Sequence, residues 1–384
     1  MSKRKNIIIF APYYYPHIGG VENYIKEFVS HIPENGFTAT ILAPLLPTDA
    51  LPAESLTDSL QILRYPIVEP VHNFPIPKFW SPSFLDCYRK VSEQQCDVVI
   101  SHTRFFVSSL LALVFAKFKK SKLVHTEHGS DFVQTKSAAV NFISKIYDYT
   151  FGAIVLRYAT NIISISSAVE KFVKHLSGRD SQVIFRGLEF DDIEKYAADT
   201  TWKKNYPNKT IFISVSRLIK WKGLKKNLEA FANLSKDSLE KTIYVIAGDG
   251  PDREDLESFV QKNNLPVIFT GALSRDEVFA LLKAGDVFIH GSMPGGGLST
   301  TLIEAMYCNL PVIATPNEGA SDIIQHLKNG YVINDHQHVD SLTAAINWHL
   351  MNKQQSLQHA IEGRKTVLEN FSWESNIQQI IKIF

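Results

Sequence analysis

The chain has 384 residues, 45% of them apolar, with 40 basic against 39 acidic side chains. That length provides for two domains of ordinary size, each with its own core, and the balanced charge excludes a bulk electrostatic partner such as nucleic acid. Three cysteines, Cys87, Cys96 and Cys308, lack metal or disulfide spacing and are expected to be reduced thiols of a cytoplasmic protein.

Met1-Ser-Lys-Arg-Lys leads into Ile7–Phe10, a run shorter than the core of a signal peptide. Short apolar runs then alternate with helical patterns. Asn6–Ala11, Thr38–Leu42, Val98–Ser101, Lys122–Thr126 and Asn161–Ser164 read as strands, and Val21–His31, Phe106–Lys117 and Ala139–Ala159 as helices. The longest apolar segment, Phe105–Phe118, is broken by Ser108, Ser109 and Lys117 and is too short to span a bilayer. Pro16-His-Ile-Gly-Gly-Val-Glu22 follows the first strand, and Gly19 and Gly20 let that loop pass close to a ligand. It lacks the full G-x-G-x-x-G fingerprint, so no nicotinamide cofactor is expected. His125-Thr-Glu-His-Gly-Ser-Asp131 closes a later strand. Its side chains suit metal ligation, acid–base work or sugar contacts, but alternation along a strand keeps them from facing one point, so no metal is expected. Asn73–Pro82, rich in proline and aromatics, and Phe105, Phe106 and Lys117–Lys122 give either a membrane-facing surface or a core helix with a solvated end.

The alternation restarts after a polar stretch, with a boundary near residues 186–206. Thr210–Val215, Ile243–Ala247, Val267–Thr270, Val287–His290 and Pro311–Ala314 are the second set of strands. Ser216-Arg-Leu-Ile-Lys-Trp-Lys-Gly223 follows the first of them. Arg217 and Lys222 are either solvated charges or a cationic pair that stabilises a departing diphosphate. Gly248–Pro251 and Gly271–Ser274 are turns after strands, and the second would let Ala272 and Leu273 line a base pocket. Pro294-Gly-Gly-Gly-Leu-Ser-Thr-Thr-Leu-Ile-Glu304 reads as a glycine-rich loop opening a helix. Gly295, Gly296 and Gly297 remove every β-carbon where free N–H groups and a positive dipole end favour a phosphate. Glu304 is either the acid of a Thr301-x-x-Glu304 capping box or a carboxylate for a ribose hydroxyl.

These elements predict an α/β protein with two open parallel sheets, and loops after the strands converging on a cleft at their carboxyl ends.

The residues as a set resemble the retaining glycosyltransferases of family 4, which have the GT-B fold. The resemblance spans nearly the whole chain: Gly19-Gly20-Val-Glu22, His128-Gly129, Val215-Ser-Arg217-Leu with Lys222-Gly223, Gly248-Asp-Gly250-Pro, Ala284-Gly-Asp286-Val, Glu304-Ala-Met306, Pro311-Val-Ile-Ala314, Asn329-Gly330 and Phe371-Ser-Trp373. It implies two Rossmann-like domains facing each other across a cleft: residues 1–188 for the acceptor, 189–366 for the nucleotide sugar, and a C-terminal helix, 367–384, crossing back to the first. It implies that Arg217 and Lys222 grip the donor diphosphate and that His128 lies near the transferred sugar. Donor contacts would come from Gly19, Gly20, Leu273, Gly295, Gly296, Gly297, Leu298, Ser299, Thr300 and Glu304, and acceptor contacts from Glu22, His102 and Asp131.

By the same resemblance the reaction needs no metal or cofactor. It moves a hexose or N-acetylhexosamine, from a UDP-sugar rather than a GDP-sugar, to a sugar acceptor. That acceptor is expected to be a lipid-linked glycan of surface polysaccharide synthesis, met at the inner face of a membrane. One departure stands out. The family commonly has two glutamates separated by seven residues, and Gly296 occupies the place of the first. A sugar-nucleotide epimerase of the same fold, or a nucleotide-sugar-binding subunit without turnover, stays open as an alternative.

Overall fold

The computed structural model describes residues 4–17, 19–47, 50–71, 74–133, 135, 137–293, 298–316, 319–334 and 339–384. The chain divides into two units, Met1–Gly187 with Trp373–Phe384, and Leu188–Ser372.

The first unit is built on an eight-stranded sheet. β1 (Lys5–Phe10), β2 (Phe37–Pro44), β4 (Leu60–Tyr65), β7 (Val98–His102), β8 (Lys122–Glu127), β9 (Asn161–Ser164) and β10 (Gln182–Val183) run parallel, and β3 (Ala53–Thr57) pairs antiparallel at one edge. The order is β10-β9-β8-β7-β1-β2-β4-β3. A strand in the middle of such a sheet is apolar on both faces. Accordingly Ile7 and Ile9 of β1 enter one core and Ile8 and Phe10 the other. The first core is closed by Tyr24, Ile25 and Phe28 of the helix Gly20–Ser30 and by Trp373, Ile377 and Ile380 of the helix Trp373–Ile381. The second is closed by Ala112, Phe115 and Ala116 of the helix Val107–Lys119 and by Leu156 of the helix Ala153–Tyr158.

Two features of this unit differ from the sequence reading. The segment 53–77 holds four short strands, including the separate antiparallel hairpin of β5 (Ile67–Val71) and β6 (Phe74–Pro77). Its prolines and brevity hide them. The single helix expected over Ala139–Ala159 is three pieces: Ala138–Tyr147, a π turn over Asp148–Gly152, and Ala153–Tyr158. The wider turn carries Asp148 inward to Arg104, with Nη2 and Oδ2 3.1 Å apart.

The second unit has a six-stranded, wholly parallel sheet of β11 (Thr210–Val215), β12 (Thr242–Ala247), β13 (Val267–Gly271), β14 (Val287–His290), β15 (Val312–Ala314) and β16 (Tyr331–Val332). Its order is β13-β12-β11-β14-β15-β16, the arrangement of a dinucleotide-binding sheet. Phe231 of the helix Leu224–Ala232 stacks on Tyr244 of β12 at 4.6 Å, anchoring that helix to the sheet. Strand order reverses between β11 and β14 here, and between β1 and β7 in the first unit. In sheets of this kind ligands bind outside the carboxyl ends of the strands at that reversal. No helix among the described residues is long and apolar enough to cross a membrane.

Candidate functional site

In the second unit the loops after β11, β12 and β14 are laced together. Leu218 is buried, its N–H donates to the Asp249 carbonyl at 2.9 Å, and its own carbonyl accepts from Asp252 at 3.1 Å. Gly223 has φ +70°, and a β-carbon there would overlap the Gly291 carbonyl, so only glycine lets the chain pass. Met293 N–H then donates to the Trp221 carbonyl at 2.8 Å. The backbone between these anchors presents Arg217 to solvent and leaves Lys222 half-buried.

Lys222 Nζ lies 4.2 Å from the Trp221 ring centroid. Burial, then the nearby Arg217 guanidinium, push its ammonium down to about 8. Burial and Lys222 push the His290 imidazole, at the end of β14, down to about 3. No carboxylate among the described residues pairs with Arg217 or Lys222. Two neighbouring cations repel each other, and each makes the other costlier to keep charged.

Glu304 lies in the helix Thr300–Tyr307, whose N-cap is Ser299. Thr301 is inside that helix, so the capping-box reading of Thr301-x-x-Glu304 is wrong. A capping box is formed by Ser274 and Glu277, in the helix after β13. The Glu304 carboxylate is buried, with Oε1 2.9 Å from Arg275 Nη1. Arg275 opens the helix after β13, two residues beyond the half-exposed Leu273, so the β13 loop and Glu304 meet. Sequence reasoning missed Arg275, which no motif marks. Leu298, Ser299 and Thr300 are half-buried where the Glu304 helix begins. Gly295, Gly296 and Gly297 lie outside the described residues.

In the first unit the loops after β1, β7 and β8 carry the expected polar groups. Glu22 is buried in the first turn of Gly20–Ser30, with Oε1 2.7 Å from His17 Nδ1. A side chain on Gly19 would overlap that carboxylate, while space over Gly20 is open. His102 Nδ1 lies 3.1 Å from His128 Nε2, and the Tyr24 ring meets both edge-on. Burial holds His128 down to about 4 and His102 well below its ordinary value, so both rings are neutral at neutral pH. His102 is buried behind His128, whereas Asp131 is exposed and its Oδ1 accepts from Phe132 N–H.

Beneath this surface sits a buried network that sequence reasoning did not foresee. Arg104 reaches Glu127 Oε1 and Asp148 Oδ2, each at 3.1 Å, and its backbone N–H donates to Glu127 Oε2 at 2.9 Å. Glu127 Oε1 also accepts the N–H groups of His128 and Gly129 at 3.0 and 2.9 Å. His125 Nε2 lies 3.2 Å from Glu127 Oε2. Burial opposes ionisation of Glu127, but the Arg104 guanidinium and the His125 and amide hydrogen bonds hold it well below the usual carboxylate range. His125 and Glu127 therefore position the loop of His128 and leave only His128 toward solvent.

The chain matches the model described as Glycosyltransferase Family 4 over residues 18–192 and that described as Glycosyl transferases group 1 over residues 198–366. It is 34% identical to an uncharacterized glycosyltransferase of Methanocaldococcus jannaschii, covering 100% of this chain and 98% of that one. The chain belongs to the family 4 glycosyltransferases. This glycosyltransferase is also 23% identical to the GPI3 subunit of the phosphatidylinositol N-acetylglucosaminyltransferase of Saccharomyces cerevisiae, over 89% of this chain and 74% of that one. Its fold is that of HepE from Anabaena in complex with UDP, with TM-score 0.74, 18% identity and 98% of each chain covered. The expected GT-B fold class is thus established, with a Rossmann-like sheet in each unit, wholly parallel in the second and parallel but for the edge strand β3 in the first.

Proposed function

We propose that this family 4 glycosyltransferase moves a hexose or N-acetylhexosamine, with retention of configuration, from a UDP-sugar to a lipid-linked glycan. The observation that carries this reading is the cationic couple of Arg217 and Lys222, with no carboxylate partner among the described residues, at the strand-order reversal of the second sheet. A diphosphate leaving group gathers negative charge as it departs. A guanidinium fork with an ammonium neutralises that charge without requiring a metal ion. The amides of Leu298, Ser299 and Thr300, at a helix start, add donors for the same anion. Glu304 takes the ribose hydroxyls and Leu273 borders the base. Gly19 and Gly20, with open space above the latter, leave room for the donor phosphates.

Neutral His128 hydrogen-bonds the transferred sugar, and Glu22, His102 and Asp131 serve the acceptor. The bond from the anomeric carbon to the phosphate oxygen breaks, and the acceptor oxygen bonds to that carbon on the same face. The acceptor proton passes to the departing phosphate oxygen, so the protein supplies no general base. The UDP held by HepE supports the choice of base, and the phosphatidylinositol acceptor in the yeast relative's name supports a lipid-linked acceptor at the inner face of a membrane, in surface glycan synthesis.

The test is a panel of UDP- and GDP-sugars incubated with and without lipid-linked acceptors, followed by nucleotide release and product mass. Acceptor-dependent UDP release with an α-linked product from an α-linked donor is expected. Acceptor-independent release, or tight nucleotide binding with no turnover for any donor, overturns the reading.

A further inference from the structure

The helix Ala138–Tyr147 is inside out for a water-facing helix. The one residue buried along it is Ser144, while Phe142 and Ile143 are 67% and 64% exposed and Ile146 49%. A helix packed on a globular core and wetted outside has the opposite polarity. The apolar ridge continues through the π turn and the next helix at Phe151, Ile154 and Tyr158. Lys117 Nζ lies 4.5 Å from the Tyr158 ring centroid, which joins the ridge to the helix Val107–Lys119. That helix exposes Val114 and, at 70%, Phe118. Isolated exposed apolar side chains are ordinary, but a contiguous run of this kind marks a surface that something covers.

Charge decides what covers it. Across Val107–Lys119 and Ala138–Tyr158 the one acidic residue is Asp148, which is buried against Arg104. Lys117, Lys120, Lys145 and Arg157 are exposed, and Lys145 lies over the Phe132 ring at 4.9 Å. An apolar ridge with aromatic members, bordered by cations and with no exposed acid on these two segments, matches an anionic bilayer. Its side chains enter the acyl boundary while the ammonium groups meet lipid phosphates.

We propose that this face of the first unit docks on the surface of an anionic membrane, with Phe142, Ile143, Ile146 and Phe118 inserted and Lys117 and Lys145 at the headgroups. The docking deepens the lipid-linked acceptor reading, since it would bring the enzyme to its acceptor, but it stands on different residues. It shares Lys117 and Phe118 with the segment that the sequence left open between a membrane surface and a core helix, but not the aromatics at 105 and 106. Phe105 and Phe106 are half-buried in an aromatic cluster with Phe74 and Tyr147, and the exposed ridge lies along 142–158 instead.

The test is co-sedimentation of the full chain with acceptor-free vesicles of phosphatidylcholine alone or mixed with phosphatidylglycerol. Binding is expected to the mixed vesicles, and to weaken with salt. Replacing Phe142, Ile143 and Ile146 together by Ser should lower partitioning at least about tenfold. Replacing Lys117 and Lys145 by Glu, surface changes that spare the fold, should lower it on mixed vesicles by about fivefold or more per site. Wild-type protein that stays in the supernatant with both vesicle types overturns the docking, as does binding unchanged in both variants. Self-association of the wild type, lost in the Ser variant without vesicle binding, would reassign the face to a second copy. Transfer to a soluble acceptor, measured separately, distinguishes failure of docking from failure of the transferase reading.

Discussion

Arg275 Nη1 stands 2.9 Å from Glu304 Oε1, with the carboxylate buried and the guanidinium side chain 55% exposed. The pair links the loop after β13 to the helix Thr300–Tyr307. The carboxylate proposed for the ribose therefore already has a cation fixing its direction. Glu304→Gln keeps the shape and removes the charge. It is expected to weaken UDP binding about tenfold, the scale of a hydrogen bond to a charged acceptor. Titration calorimetry of UDP against both proteins, with thermal melts as the folding control, checks it; equal affinities would remove Glu304 from the donor site.

Arg217 is exposed and pairs with no carboxylate among the described residues, so its removal leaves no buried partner stranded. Arg217→Ala is expected to change stability by no more than about 0.5 kcal/mol. Transfer should nonetheless fall about 100-fold or more in kcat/KM, because charge stabilisation at the leaving group is lost. Denaturant melts and initial-rate kinetics on the same preparation separate the two effects. Lys would restore less than the native residue, since an ammonium cannot fork onto two phosphate oxygens.

Lys222 gives a pH signature. Burial and Arg217 set its folded value at about 8, below the ordinary lysine value. Diphosphate binding favours the ammonium, so UDP affinity should decline as pH rises through about 8. In Lys222→Arg, which stays charged, the decline should vanish. The stability term has its own sign. Above about 8 the folded chain has released a proton that the unfolded chain keeps until about 10.4, so this residue's contribution grows with pH across that window. Affinity and denaturant stability measured from pH 7 to 10 should thus move in opposite directions at this site.

Much of this was readable from residues alone. Central strands such as Asn161–Ser164, Thr210–Val215 and Val287–His290 have the bounds their apolar runs predict, because a strand buried on both faces is marked by its neighbours' polarity. That Arg217 and Lys222 are near one another on the loop after β11 was legible for a similar reason, as turn chemistry is local. What was hidden depends on partners remote in sequence. Nothing in Ser274-Arg-Asp-Glu277 announces that Arg275 meets Glu304. Nothing in the helical pattern of 139–159 announces a π turn, which exists where Asp148 reaches Arg104, 44 residues earlier. His125 and Glu127 looked like site residues because their types suit chemistry, yet burial makes them supports for the backbone of His128 and Gly129.

That support suggests a test in which the fold and the site respond through one residue. Arg104 is 2% exposed and faces Glu127 and Asp148 at once. Arg104→Met keeps the bulk against the Phe172 ring, over which the guanidinium lies at 4.3 Å, but strands both carboxylates. Breaking a buried pair on one side is expected to cost about 3–5 kcal/mol. Asp148→Asn added to it should recover part of that loss, because one uncompensated charge is gone. Urea unfolding of the single and double variants measures both. If Arg104→Met were as stable as wild type, the carboxylates would not depend on it, and the His128 loop would be held by some other contact.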